Sequence, residues 1–179
     1  KRSSLVISRD FNSSGAFVWA KNFTSAASCW GASIALDGAS NAYITGNFSG
    51  TGDFDPGATI YNLTSPGGVP DIFVVNLNAA GNFVWAKRLG GTGYDYGNAL
   101  ALDAVGDIYL TGYFNGTADF DPGTPIYNLI SKGNEDFFVS KLSGNGGVGI
   151  EEVDNSHFTL YPNPTSGIVN LPTELISKN

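Results

Sequence analysis

Residues 81–142 read GNFVWAKRLGGTGYDYGNALALDAVGDIYLTGYFNGTADFDPGTPIYNLISKGNEDFFVSKL, and nearly the same text occupies residues 15–77. Phe17-Val18-Trp19-Ala20-Lys21 returns as Phe83-Val84-Trp85-Ala86-Lys87, 66 residues on. Asp53-Phe54-Asp55-Pro56-Gly57 returns as Asp119-Phe120-Asp121-Pro122-Gly123 at the same spacing, and Ile60-Tyr61-Asn62-Leu63 as Ile126-Tyr127-Asn128-Leu129. A repeat of this length is a supersecondary unit that buries its apolar face by stacking on its copies.

Each copy offers four strand candidates. They are residues 17–23 or 83–89, 33–36 or 99–102, 42–48 or 108–114, and 72–77 or 137–142. Gly, Asn, Asp and Pro clusters separate them. The second and third are joined by Asp37-Gly38-Ala39-Ser40-Asn41, or by Asp103-Ala104-Val105-Gly106-Asp107. A glycine in so short a connection supplies positive φ, which predicts a hairpin. Residues 5–11 align with residues 71–77, so the chain opens on the last strand of an earlier unit. No helical period is present.

Four antiparallel strands per 66-residue copy predict an all-β fold built of four-stranded β-propeller blades. The expected division is 1–14 as the end of a preceding blade, 15–80 as one blade and 81–147 as the next. A closed propeller takes ~4–8 blades. Two blades and a strand therefore imply a piece of a larger propeller, a homo-oligomer whose copies complete a ring, or an open stack; the first is preferred. The chain contains no methionine, even at residue 1, as expected of an internal or processed piece.

Composition narrows the function classes. The net charge is −7 and the isoelectric point about 4.4, so there is no basic surface to neutralise the phosphates of nucleic acid or an anionic membrane. No apolar run reaches the ~20 residues of a membrane-spanning helix. The single cysteine, Cys29, excludes an intrachain disulfide. Its counterpart in the next copy is Asp95, so the repeat needs no thiol, and a packed, unreactive Cys29 is expected.

Gly31-x-x-Ile34-Ala35-Leu36-Asp37 with Asn41-Ala42-Tyr43-Ile44-Thr45-Gly46 resembles the SBBP β-propeller repeat, as does Gly97-x-x-Leu100-Ala101-Leu102-Asp103 with Asp107-Ile108-Tyr109-Leu110-Thr111-Gly112. The closing element of that family, Asp-x-Phe-Val-x-Lys-Leu, has its counterpart in Asp136-Phe137-Phe138-Val139-Ser140-Lys141-Leu142, with Asn76 in place of the lysine in the first copy. The Asp-Phe-Asp-Pro-Gly element is similar to a long-repeat variant common in secreted proteins of Bacteroidetes. Beyond a polar linker at 148–157, Leu160-Tyr161-Pro162-Asn163-Pro164-Thr165-Ser166-Gly167 resembles the start of the type A C-terminal sorting domain of type IX secretion cargo. That resemblance implies export by the type IX secretion machinery through residues 158–179, and an extracellular or outer-membrane-surface location. These 22 residues fall well short of the ~100 of a β-sandwich, and Pro162-Asn163-Pro164 also reads as a turn.

The best chemical candidates are the repeated aspartates. Alternation puts Asp53 and Asp55, and again Asp119 and Asp121, on one side of an extended segment, and hard oxygen ligands of that kind suit calcium. The other reading is an Asp-rich turn around Pro-Gly with Phe54 or Phe120 buried. Trp30, whose counterpart is Tyr96, is expected in a loop and exposed, a candidate ligand contact. Trp19 and Trp85 hold equivalent positions and are expected in the core between blades. Five matches to the glycosylation sequon, such as Asn115-Gly116-Thr117, read equally as Asn-rich turns. The lone histidine, His157, lies in the linker, and no nucleophile and base fall together. The expected function is a secreted or cell-surface module for binding or adhesion, directed at glycan, protein or matrix. The alternatives are an accessory or partial propeller of a secreted polysaccharide-active hydrolase or lyase, and an architectural repeat of a long adhesin.

Overall fold

The computed structural model describes residues 16–124 and 126–144, together with the backbone of residues 4–9. The expected linker at 148–157 and the sorting-like text at 158–179 lie outside the described residues. In chain order the strands are β1 (Ser4–Arg9), β2 (Trp19–Ser25), β3 (Ser28–Leu36), β4 (Ala42–Ser49), β5 (Thr51–Asp53), β6 (Asn62–Thr64), β7 (Asp71–Leu77), β8 (Phe83–Gly91), β9 (Asp95–Leu102), β10 (Ile108–Phe114), β11 (Thr117–Asp119), β12 (Asn128–Ile130) and β13 (Asp136–Leu142). All pairings among them are antiparallel, and the fold is all-β and propeller-like.

The hydrogen-bonded unit is out of phase with the textual one. The four-stranded meander is β3-β4-β7-β8, running from Ser28 to Gly91, and the next copy supplies β9-β10-β13. β2 pairs with β1, as β8 pairs with β7, so residues 19–25 and 83–91 end a sheet instead of beginning one. The β1 register also differs from the textual alignment. Leu5 stands opposite Phe23 as Ile72 stands opposite Leu89, so β1 corresponds to residues one step further along than a uniform spacing of 66 gives. A one-residue slip exchanges the two faces of a strand, and this register matches Leu5 and Ile7 to the apolar Ile72 and Val74.

One turn design serves three hairpins. In β3–β4, β7–β8 and β9–β10 the side chain of Asp37, Asn78 or Asp103 accepts the N–H groups two and four residues ahead, at 2.8–3.0 Å. The fourth residue takes positive φ: 66° at Ser40, 75° at Gly81 and 91° at Gly106. In the first hairpin this falls on Ser40 and not on Gly38, because the aspartate sets the frame of the turn. Gly46 has a different purpose. A Cβ there would lie 1.8 Å from the Trp30 carbonyl, across the bulge in β3, and Gly112 meets the Tyr96 carbonyl in the same way.

Two apolar layers hold the sheets together. Trp19 and Phe23 of β2 pack with Ile44, Phe48, Phe73, Val75 and Leu77. The opposite face of β7, Ile72 and Val74, packs with Leu100, Leu110, Phe114 and Phe138 of the next sheet. Strand β7 is therefore buried on both faces, whereas β10 alternates buried and open positions. On β13, Phe137 and Val139 take the register positions of Ile72 and Val74 but are 80% and 67% exposed.

The insertion between the second and third strands of each sheet forms a short hairpin, β5-β6 or β11-β12. Each hairpin adds to the end strand of the preceding sheet: β5 pairs with β2, and β11 with β8. Every sheet thus clasps its predecessor across an edge that would otherwise expose unpaired backbone groups. The strands of the clasp have three residues each, too few for alternation to mark them.

Candidate functional site

The Asp-Phe-Asp-Pro-Gly element is the tip of this clasp. Phe54 is fully buried, with ring centroids 4.9 Å from Phe73, 5.0 Å from Phe48 and 6.0 Å from Phe23. Phe120 repeats the contact with Phe138 at 4.5 Å and Phe114 at 5.3 Å. The flanking carboxylates organise the loop backbone. Asp53 Oδ1 accepts the N–H groups of Asp55 (3.1 Å) and Tyr61 (3.0 Å), and Asp119 Oδ1 accepts those of Asp121 (3.0 Å) and Tyr127 (2.9 Å). Asp55 and Asp121 each take the N–H of the glycine two residues on, at 2.7 and 2.8 Å.

This geometry supports the turn-organising reading of the aspartates. Calcium takes 6–8 oxygen ligands. Among the described residues no group of three or more His, Cys, Asp or Glu is placed to hold a metal ion. Because Asp53 and Asp119 already bind the N–H groups of their own loops, the same melting temperature is expected in calcium and in chelator, measured by circular dichroism. A rise of several degrees with calcium would make these loops ligands after all.

A polar cavity of about 290 Å³ lies where the two clasps meet the end strand β8. Tyr61 comes from the first clasp, Lys87 and Arg88 from β8, and Asp119, Asp121 and Gly123 from the second clasp. The Tyr61 ring is braced by Phe83, with centroids 4.8 Å apart. The repeated tyrosine and paired aspartates were visible in the sequence; their meeting with β8 was not, because it depends on the clasp crossing from one sheet to another.

Trp30 is on β3, in the ladder opposite Asn47, and not in a loop; its side chain is 63% exposed. Trp19 is buried, its indole N–H donating to the Ala79 carbonyl, and Trp85 packs against the second apolar layer. Cys29 is buried, and burial pushes its thiol up to about 11, well away from a reactive thiolate.

The junction between the two sheets also holds a charged group whose Arg88 and Asp95 do not repeat in the first copy. Asp71 is fully buried and receives Arg88 at 2.5 Å. Asp95 is fully buried too and takes the Gly91 N–H at 2.8 Å. Oδ1 of each makes no well-formed hydrogen bond among the described residues, although the Ser65 hydroxyl bears on Asp71 and the Asn115 N–H on Asp95. A Cβ on Gly90 would sit 2.8 Å from Asp95 Oδ2 and 2.9 Å from Asp71 Oδ1, so the two carboxyls flank one glycine whose φ is 140°. Burial raises Asp71 to about 6 against the pull of Arg88. Asp95 also rises to about 6, through burial first and with the Asp71 charge adding to it. The signal available beforehand was a failure to repeat: Asp95 stands against Cys29, and Arg88 against Asn22.

The chain is similar in part to known repeat sequences. Residues 84–121 match the family described as SBBP, a beta-propeller repeat. The matched span starts in β8, crosses the first two strands of the following sheet and ends at Asp121 in the clasp. An uncharacterized WD repeat-containing protein of Acanthamoeba polyphaga mimivirus is 28% identical over 142 residues. That stretch covers 70% of this chain and 10% of the viral protein, so the chain spans about a tenth of that curated relative. Both likenesses are to repeat proteins. No helix among the described residues is long and apolar enough to cross a membrane.

Proposed function

We propose that the chain is a binding or adhesion segment of a surface-displayed beta-propeller scaffold. One observation carries the reading: exposed aromatic and charged side chains stand on laddered strands and pinned clasps, a rigid display surface. The match to a beta-propeller repeat and the likeness to a WD-repeat protein support an interaction module. The carboxylates that repeat in each copy serve their own turns, which favours a scaffold over an acid and base pair. The sorting-like text at residues 160–167 supports export by the type IX machinery to the outer surface.

Protease shaving of intact cells tests the location, and a binding screen on the purified chain tests the activity. Peptides of this chain released before lysis, together with retention of a glycan or surface protein, are expected. Peptides that appear only after lysis would overturn surface display. Release of reducing ends from a polysaccharide would replace the module with a hydrolase, and release of unsaturated ends with a lyase.

A further inference from the structure

We infer that the cavity between successive clasps is a subsite for one neutral sugar unit; this rests on the binding-module reading and gives it a place. The lining mixes Lys87 and Arg88 with Asp119 and Asp121, so it is strongly polar and carries both signs of charge instead of one that would select an ion. A polyhydroxylated ring suits such a lining, because each hydroxyl can donate to a carboxylate and accept from an ammonium. The Tyr61 ring, fixed by Phe83, offers an apolar face for the C–H side of a sugar. At about 290 Å³ the space is close to the lower end of small-ligand sites, the size of a single ring.

The two copies differ at one telling position. In the first clasp the Thr59 hydroxyl donates to Asp55 Oδ2, closing that oxygen off. The counterpart of Thr59 is Pro125, which has no hydroxyl to give. Among the described residues, the hydrogen bonds of Asp119 and Asp121 use Oδ1 alone, so Oδ2 of each remains for a ligand. Lys87 makes no ion pair among the described residues, whereas Arg88 is held by Asp71. Asp119, Asp121 and Lys87 are therefore the hydrogen-bonding groups, and Tyr61 the platform.

The test titrates the whole chain with methyl glycosides of mannose, galactose and glucose and with their short oligosaccharides, read by saturation-transfer NMR and calorimetry. Tyr61→Ala and Asp121→Asn should each weaken saccharide binding at least tenfold with unchanged melts. Trp30→Ala should leave it within twofold. The asparagine keeps the acceptor for the Gly123 N–H, so folding is preserved. Binding that survives both variants would overturn this site while leaving a glycan-binding module in place. Absence of any saccharide binding would overturn the subsite alone if the chain still captures a surface protein, and would count against the module as well if it captures nothing.

Discussion

Phe54→Ala is expected to cost about 3–5 kcal/mol of stability, in the range for emptying a fully buried aromatic site. The ring touches the end strand of one sheet through Phe23 and the interior of the next through Phe48 and Phe73, so three aromatic partners lose a contact at once. Chemical denaturation gives the free energy. Hydrogen exchange gives the location: the Ala26 N–H, which donates to Thr51 on the clasp, should lose protection before the β3-β4 ladder does. Phe54→Leu should cost roughly a third as much, since volume is largely kept. A loss below about 1 kcal/mol for the alanine variant would show that the clasp is held by its ladder and not by its ring.

The second large effect is expected from Arg88→Leu. Arg88 is only partly buried, so leaving the buried Asp71 uncompensated should cost about 2–3 kcal/mol at neutral pH, below the ~3–5 of a fully buried pair. The Ser65 hydroxyl also bears on Asp71, but no second cation among the described residues pairs with it. The loss should be pH-dependent in a defined direction. Asp71 and Asp95 have folded-state values near 6, above the ordinary ~4 of an unfolded aspartate. The folded state therefore holds more protons between these values. Their favourable contribution is complete below about pH 4, falls away as pH rises to about 6, and stays absent above it. Loss of Arg88 should move the Asp71 value further up and carry the decline to higher pH. Asp95→Asn should instead gain about 1–2 kcal/mol at pH 8 and flatten the profile between pH 4 and 6, because it removes a buried charge while keeping an acceptor for Gly91. Urea midpoints at pH 4, 6 and 8 read all three proteins. A destabilised Asp95→Asn at pH 8 would mean that the Asp95 charge is useful to the fold.

Much of this architecture was legible because a period of 66 residues constrains every copy at once. The strands β4 and β10 follow from alternation, and β7 and β13 from apolar runs bounded by turn residues. The phase of the sheets did not, since the text repeats equally well from any starting point and only hydrogen bonding fixes where a sheet ends. Ser40 shows a similar limit: Gly38 was the obvious residue for positive φ, yet the Asp37 side chain decides which position turns. Trp30 was correctly expected to be exposed, but exposure does not distinguish a loop from an open strand face. The clasp was half legible. A buried phenylalanine between two turn-forming aspartates was within reach of the sequence, whereas its attachment to the previous sheet joins segments about 30 residues apart and leaves no local pattern.

The clasp bears on how such a chain gains or loses length. A duplicated 66-residue segment brings the hairpin that closes the sheet before it and inherits the same open edge for the sheet after it, so an array grows one unit at a time without any new joint. Deletion is not symmetrical. Removing the segment that carries β11 and β12 spares every residue of β8 yet strips its outer edge. The damage then appears in the neighbour that was left intact, and an array trimmed from its C-terminal side frays one unit upstream of the cut.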